Sequence, residues 1–315
     1  MIKRVEPPKW KMGKLSEGEE WLAFTFREQP RKTIEHDELE RLFQKSEQIL
    51  REAYARMRLD DGHRWARHQA QEVETILKHT GLTSDASVID FGCGRGRHVV
   101  EFGKQGFRAT GVDFIPEFIS SATDESRKLG LSSCRFVYGD CRTQQMEETY
   151  DLGICLYDVY GSFANQSDNL KLLNNLVSHL RPGGYVAISA MNMEVTQKQA
   201  KNIGNVFEKP DLLLRLPPSN IMQATGNVFD PDYYLIDQPT GVVYRKEQFS
   251  EDGLLSAELV VRDRRYRRKE LGETLKQFGV DEIWSGCVRS GDWENALPDD
   301  DPRAKEVLII GRKRG

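Results

Sequence analysis

Three glycines and one acid stand together in the stretch from Val88 to Phe102, which reads VIDFGCGRGRHVVEF. The glycines are Gly92, Gly94 and Gly96, and they directly follow an apolar run that contains Asp90. Glycine-rich turns between a strand and a helix let backbone N–H groups approach a nucleotide closely. The stretch therefore predicts a nucleotide-binding turn, and its register must indicate which nucleotide is bound.

The register of the glycines excludes two common nucleotide loops. A dinucleotide fingerprint, G-x-G-x-x-G/A, would need its third glycine at Arg97 or at Val99, depending on the starting residue. The phosphate-loop ending GK[ST] is absent from the turn. The carboxylate of Asp90 would also repel a pyrophosphate, whereas it suits a ligand that carries an ammonium group.

With these features the sequence resembles the class I S-adenosylmethionine-dependent methyltransferases, whose first motif reads acid-x-G-x-G-x-G. Asp113, at the end of GVDF, stands where the family has its ribose-binding acid. Asp140 and Cys141, in YGDC, stand where the family faces the adenine amino group and ring. LRPGGYVAIS, residues 180–189, matches the family's turn into strand five.

The resemblance implies that S-adenosylmethionine is the cofactor and S-adenosylhomocysteine the product. It also implies a set of cofactor-binding residues at the ends of the first, second, third and fourth strands. These are Asp90, Gly92, Cys93, Gly94, Gly96, Asp113, Phe114, Asp140, Cys141, Leu156 and Tyr157.

The acceptor side is predicted at CLYDVYGSFAN, residues 155–165, because ligands of open α/β sheets lie beyond the carboxyl ends of the strands. Gly161, with the Ser and Phe after it, loosely resembles the glycine and sarcosine type of N-methyltransferase. A sulfonium donor is already activated, so the enzyme mainly supplies alignment, and a base only if the acceptor arrives protonated. The predicted catalytic residues are Tyr157, beside the donor, and Asp158 or Tyr160, beside the acceptor.

The order of elements predicts an α/β fold of the Rossmann-like class I methyltransferase type. Its sheet should be mostly parallel with an antiparallel last strand and helices on both faces. We expect an N-terminal arm and helical cap at 1–80, a cofactor-binding core at 81–190, a substrate-lid insertion at 191–266, and completion of the core sheet at 267–315. Within the insertion, segments 241–249 and 254–266 indicate an antiparallel pair of strands.

Side chains of the insertion and of the helical cap are further candidates for acceptor contacts. The basic run RDRRYRRKEL, residues 262–271, could bind an acidic substrate or RNA, although we expect its charges to face water. His63 could act as a base but is more typical of a loop residue, and Arg95 or Arg97 could bind the donor's carboxylate or lie at a solvated helix start. The lid candidates are Tyr233, Tyr234, Tyr244, Arg245 and Arg262.

Composition narrows the class of protein. The net charge of −4 gives no argument for nucleic acid, and no run of residues is apolar enough to span a bilayer. Five cysteines without a CxxC pair, and histidines without metal-ligand spacing, favour a reduced cytoplasmic protein without a metal site. We therefore expect a small-molecule acceptor, no membrane partner, and nucleic acid only as a less favoured one.

Two alternatives stay open beside this expectation, while oligomeric state is not predicted. One is an RNA or protein methyltransferase, although the family's Asn/Asp-Pro-Pro-aromatic signature is absent from strand four, where the sequence reads YDVYGSF. The other is a non-catalytic regulator that binds S-adenosylmethionine, because intact pocket acids do not prove methyl transfer.

Overall fold

The computed structural model describes residues 33–57, 63–251 and 254–315, which divide between two compact units. The first unit contains residues up to His63 together with 199–263, and the second contains 64–198 and 264–315. The predicted segment 1–80 is thus divided between the units, and most of its predicted arm, residues 1–32, lies outside the described residues. Within the described ranges no helix combines the length and apolarity needed to cross a membrane.

The elements follow one another in chain order. The α-helices are α1 (His36–Arg56), α2 (Gln69–Thr80), α3 (Arg97–Lys104), α4 (Pro116–Lys128), α5 (Gln166–Ser178), α6 (Met193–Gln199), α7 (Leu212–Arg215), α8 (Ile221–Ala224) and α9 (Arg268–Gln277). The strands are β1 (Ser87–Phe91), β2 (Arg108–Asp113), β3 (Cys134–Tyr138), β4 (Tyr150–Cys155), β5 (Leu180–Met191), β6 (Ile203–Gly204), β7 (Pro218–Ser219), β8 (Tyr234–Asp237), β9 (Val242–Glu251), β10 (Leu254–Arg264), β11 (Val280–Arg289), β12 (Asp292–Leu297) and β13 (Glu306–Lys313).

The second unit contains an eight-stranded sheet in the order β12-β11-β13-β5-β4-β1-β2-β3. Neighbouring strands from β5 to β3 run parallel, whereas β13 runs antiparallel to β5 and to β11. The mostly parallel sheet and its antiparallel last strand are therefore as predicted. Strand β12 was not predicted, because the polar residues of DWENAL are not typical of a strand. It pairs antiparallel with β11, and its Trp293 is fully buried.

Helices cover both faces of this sheet because alternate side chains of each strand point to opposite faces. Ala187 of β5 packs in one apolar cluster with residues of α2 and α3. Its neighbours Val186 and Ile188 pack in the other cluster, with residues of α5 and α9. The sheet is thus apolar on both sides, and polar groups collect where the parallel strands end.

The first unit contains α1 and a sheet in the order β10-β9-β8-β6, with β7 paired to β9. The two strands predicted within the insertion are neighbours in this sheet, as β9 and β10. The sheet has an unusually polar interior, because Arg245 of β9 is buried and pairs with Glu247 and Asp263.

The expectation that the basic run 262–271 faces water is wrong for part of it. Asp263 and Arg265 are 3% exposed, and the Arg265 guanidinium donates a hydrogen bond to Thr196 Oγ1 at 2.9 Å. Arg268 pairs with Asp299 instead of standing free. These arginines therefore hold the fold together, which leaves few of them available for an acidic ligand.

Gly161 and Gly130 offer a matched test of how tightly the loop after β4 is packed. Both have a positive φ, but a Cβ at Gly161 would lie 2.3 Å from the carbonyl oxygen of Arg264. A Cβ at Gly130 would meet nothing within 4 Å in the part of the chain that the structure describes. Gly130→Ala should cost about 1–2 kcal/mol of unfolding free energy through left-handed strain alone. Gly161→Ala should cost a further ~1–3 kcal/mol through overpacking. Urea denaturation measures both, and equal losses would contradict the tight packing.

Candidate functional site

The glycine turn after β1 is shaped by packing at two of its positions and open at the third. Gly92, Gly94 and Gly96 have φ values of 76°, 55° and 76°. A Cβ at Gly92 would lie 2.4 Å from Val159, and one at Gly96 would lie 2.5 Å from Phe136. A Cβ at Gly94 would meet no atom of the described residues within 4 Å. The backbone of Gly94 is therefore the part of the turn that a ligand can approach.

Asp90 brings a buried carboxylate to the head of this turn. Its side chain is 2% exposed, and its Oδ2 has no hydrogen-bond partner among the described residues. Burial raises the pKa of Asp90 to about 7, although the nearby guanidinium of Arg97 opposes that shift. Because a buried polar atom without a partner is costly, this oxygen is suited to a cationic ligand group.

Asp113 ties the end of β2 to the open position of the turn. One carboxylate oxygen accepts the Gly94 N–H and the other accepts the Ile115 N–H, both at 2.9 Å. Each oxygen keeps a second lone pair, so the side chain can also accept ligand hydroxyls. Phe114 follows directly and is 37% exposed.

The end of β3 is organised by an arginine that the motif analysis missed. Arg142 forms a two-pronged ion pair with Asp140, at 3.0 and 2.6 Å, and contacts Asp168 at 3.3 Å. Its guanidinium also lies 4.5 Å from the ring centroid of Phe163. Cys141 is buried beside this group, and its carbonyl accepts a hydrogen bond from the Asn175 side chain.

Tyr157, after β4, has the single positive φ of a non-glycine residue in the described part of the chain, at 65°. Its N–H donates to Ser189 Oγ and its hydroxyl donates to Glu72 Oε1. The guanidinium of Arg97 lies 4.4 Å from the centroid of its ring. Residues held in such sparsely populated conformations cluster at functional sites, because the surrounding structure has to stabilise them.

Glu72 of α2 is the centre of this arrangement, and sequence reasoning missed it because it lies outside every motif. It accepts from Arg97 at 2.9 Å and from His98 at 2.7 Å. Burial opposes ionisation, but the His98 hydrogen bond and the Arg97 charge prevail and lower the pKa of Glu72. Burial lowers the pKa of His98 to about 4, so its ring is neutral at pH 7. Arg97 is thus a paired, largely buried residue and not a solvated one at the helix start.

The remaining predicted residues divide between the site and the core. Asp158 is half-buried in the loop after β4, and Leu156 is buried at the strand end. Tyr160 is fully buried, with its ring centroid 4.8 Å from that of Tyr266. His63 belongs to the first unit, where it is buried with Nε2 3.2 Å from the carbonyl oxygen of Met222.

Comparison with protein families finds a match over residues 82–227, to the family described as a methyltransferase domain. Among curated proteins, the ubiquinone biosynthesis O-methyltransferase of Rickettsia prowazekii is 30% identical over 120 residues, 38% of this chain and 46% of the relative. The enzyme of the same name from Rickettsia canadensis is 28% identical over 170 residues, 54% of this chain and 68% of the relative. The chain thus spans about half the length of the first relative.

Solved structures give the same fold at low sequence identity. The CcbJ methyltransferase of Streptomyces caelestis has a TM-score of 0.61 at 15% identity, covering 87% of this chain and 99% of that one. An S-adenosylmethionine-dependent methyltransferase of Clostridium acetobutylicum has a TM-score of 0.55 at 14% identity, covering 79% and 92%. At these identities the likeness supports the fold.

The raised pKa of Asp90 predicts how stability changes with pH. Between its ordinary pKa of 3.8 and the folded value of about 7, the folded state keeps a proton that the unfolded state loses. The stabilisation is complete at low pH and disappears as pH rises through about 7. Between about pH 5 and about pH 8, the free energy of unfolding of the wild type should therefore fall by on the order of 2–3 kcal/mol relative to that of Asp90→Asn.

Urea unfolding of ligand-free protein at both pH values measures this difference. Asp124→Asn is the matched control, because it neutralises an exposed carboxylate and should follow the wild type. A constant difference between Asp90→Asn and wild type at both pH values would mean that Asp90 is ionised in the folded protein.

Proposed function

We propose that this chain, whose residues 82–227 form a class I S-adenosylmethionine-dependent methyltransferase domain, transfers a methyl group to nitrogen or oxygen of a small molecule. The predicted family and Rossmann-like fold are confirmed by the matched domain and by the structural neighbours. S-adenosylmethionine is the cofactor of this family. The acceptor, the site residues and the cytoplasmic location belong to the proposal.

The observation that carries the proposal is a buried carboxylate oxygen of Asp90 that has no hydrogen-bond partner among the described residues and lies beside an open glycine position. The residues present fit the donor, because Asp90 suits its ammonium group and Asp113 has lone pairs left for ribose hydroxyls. Asp140 and Cys141 lie at the next strand end, where the adenine would bind. When bound, S-adenosylmethionine supplies a methyl group that is already activated on a sulfonium.

The chain's own task is then to align the two reactants and to exclude water. Tyr157 and Asp158 follow β4 directly, so we assign Tyr157 to the donor side and Asp158 to the acceptor. Tyr160 was predicted with them, but its contact with Tyr266 and its complete burial favour a packing role in the described structure. Glu72 and Ser189 hold Tyr157 in its positive-φ conformation and are positioning residues.

A small-molecule acceptor is favoured by several independent features. The two curated relatives are named for methylation in the biosynthesis of ubiquinone, which is a small molecule. The arginines of the basic run that the structure describes are engaged in pairs or buried hydrogen bonds, and the net charge is −4, so no broad cationic surface for RNA is indicated.

All five cysteines are free, which agrees with a cytoplasmic protein.

Donor binding should depend on Asp113. Asp113→Asn removes the negative charge and keeps one acceptor oxygen, so one of the two backbone hydrogen bonds, from Gly94 or from Ile115, can persist. Loss of one charge-assisted hydrogen bond costs about 1.5–3 kcal/mol, which corresponds to a roughly 10- to 100-fold loss of affinity. Calorimetry with S-adenosylmethionine and S-adenosylhomocysteine measures it, with Asp124→Asn as the unaffected control. A wild-type protein that binds neither compound would refute the cofactor.

The class of acceptor is tested with S-adenosylmethionine labelled in its methyl group. We expect label from a cell extract to appear in the fraction that passes a small-pore filter, since the acceptor is a metabolite. Label confined to RNA or protein would support a macromolecular substrate instead. Donor binding without transfer into any fraction would support the non-catalytic alternative.

A further inference from the structure

Glu306 is an acid that no motif identifies, yet it lies at the same edge of the sheet as the site. It is the first residue of β13, which runs antiparallel to β5, and it pairs with Met191 at the carboxyl end of β5. The end of β1, which carries Asp90, and the end of β4, which leads into the loop with Asp158, lie at this edge too. An antiparallel strand therefore contributes its N-terminal residue to a site otherwise built from strand C-termini.

The side chain of Glu306 is buried but only partly hydrogen-bonded. It is 7% exposed, and its Oε2 has no hydrogen-bond partner within the described ranges. The Ser189 hydroxyl acts on its carboxyl group and opposes the rise of its pKa, and Ser189 Oγ accepts the N–H of Tyr157. Glu306 and Tyr157, which we assign to the donor side, are thus neighbours of the same serine.

The charges that act on Glu306 are mostly negative. Asp158, from the loop after β4, and Glu72, from α2, repel its ionised form, whereas Arg97, from α3, stabilises it. That guanidinium is already paired with Glu72. Burial, together with Asp158, raises the pKa of Glu306 to about 8.

A purely structural carboxyl group would not be expected in this state. Buried polar atoms in folded proteins are nearly always hydrogen-bonded, because an unpaired one costs about 1–3 kcal/mol. A positively charged ligand would instead stabilise two acids that repel each other, one of which has an oxygen without a partner among the residues that the structure describes. A phenolate or carboxylate acceptor would meet repulsion from both.

We infer that Glu306 and Asp158 form a paired-carboxylate site for the ammonium group of an amine acceptor, with Glu306 as the base that takes its proton. This inference rests on the proposed methyl transfer and selects nitrogen over oxygen as the atom methylated. Glu306 is suited to the role because its Oε2, which has no hydrogen-bond partner in the described part of the chain, can accept an N–H proton.

The step balances with the proposed donor as the only co-reactant. An N–H proton of the ammonium moves to Glu306, which leaves a nitrogen lone pair. That lone pair forms the new N–CH3 bond while the C–S bond breaks and its electron pair stays on sulfur. The acceptor leaves as an N-methylammonium and the donor as a neutral thioether, and Glu306 releases its proton to water.

The test uses methylammonium as the probe and the full chain saturated with S-adenosylhomocysteine, so that no sulfonium is present. Glutamate is labelled with ¹³C at its carboxyl carbon, and the Glu306 signal is the one absent from Glu306→Gln. We expect it to titrate near pH 8 in sodium chloride and at least about one pH unit lower in methylammonium chloride at equal ionic strength, a tenfold change in proton affinity.

Two further variants locate the effect. Asp158→Asn should weaken the methylammonium response at least several-fold, whereas Glu282→Gln, which neutralises an exposed acid of β11, should leave it unchanged. Melting temperature and affinity for S-adenosylhomocysteine verify that each variant is folded. If S-adenosylhomocysteine binds but the titration is the same in both salts, this inference is overturned and the proposed function stands. Failure of the wild type to bind S-adenosylhomocysteine would overturn both.

Discussion

The site depends on the hydrogen bonds that converge on the buried carboxylate of Glu72. It receives hydrogen bonds from Arg97, His98 and Tyr157, and so connects α2, the helix after the glycine turn, and the loop after β4. Its cost of burial is offset only because all these donors converge on it. Removing it would leave the Arg97 charge buried without a partner, a change that typically costs about 3–5 kcal/mol. A single acid thereby fixes the spacing between the glycine turn and the loop after β4.

The parts of this site that the sequence could predict are those whose residues are close together in the chain. The spacing of Gly92, Gly94 and Gly96 is a local property, and so is the acid at each strand end. The strands expected at 241–249 and 254–266 likewise lie within a few residues of β9 and β10. Such signals are reliable because a strand end and the turn after it are determined by adjacent residues.

The residues that were missed act across long sequence separations. Glu72 lies 85 residues before Tyr157, and Ser189 lies 32 after it. Nothing in the surrounding letters distinguishes Glu72 from the other acids of a charged helix, or Glu306 from the other polar residues before the last strand. Their importance arises only when the sheet topology brings α2, β5 and β13 to one edge. The polar interior of the first unit could not be predicted for the same reason. An arginine in an alternating strand pattern is expected to be exposed, and the pairing of Arg245 with Asp263 depends on the fold.

Glu72 and Glu306 are the same residue type, both buried, and their pKa values shift in opposite directions. Burial acts alike on both, so the difference must come from their neighbours. Glu72 has a guanidinium and a ring N–H in direct contact, whereas Glu306 has a serine hydroxyl and the repulsion of Asp158. Glu72 is therefore held in its ionised form by the donors that contact it, which suits a structural role. The raised pKa of Glu306 lies close to neutral pH, and its Oε2 has no partner among the described residues, which suits a group that exchanges a proton. The two glutamates thus differ in role because the Arg97 guanidinium is paired directly with Glu72, whereas it acts on Glu306 only through its charge.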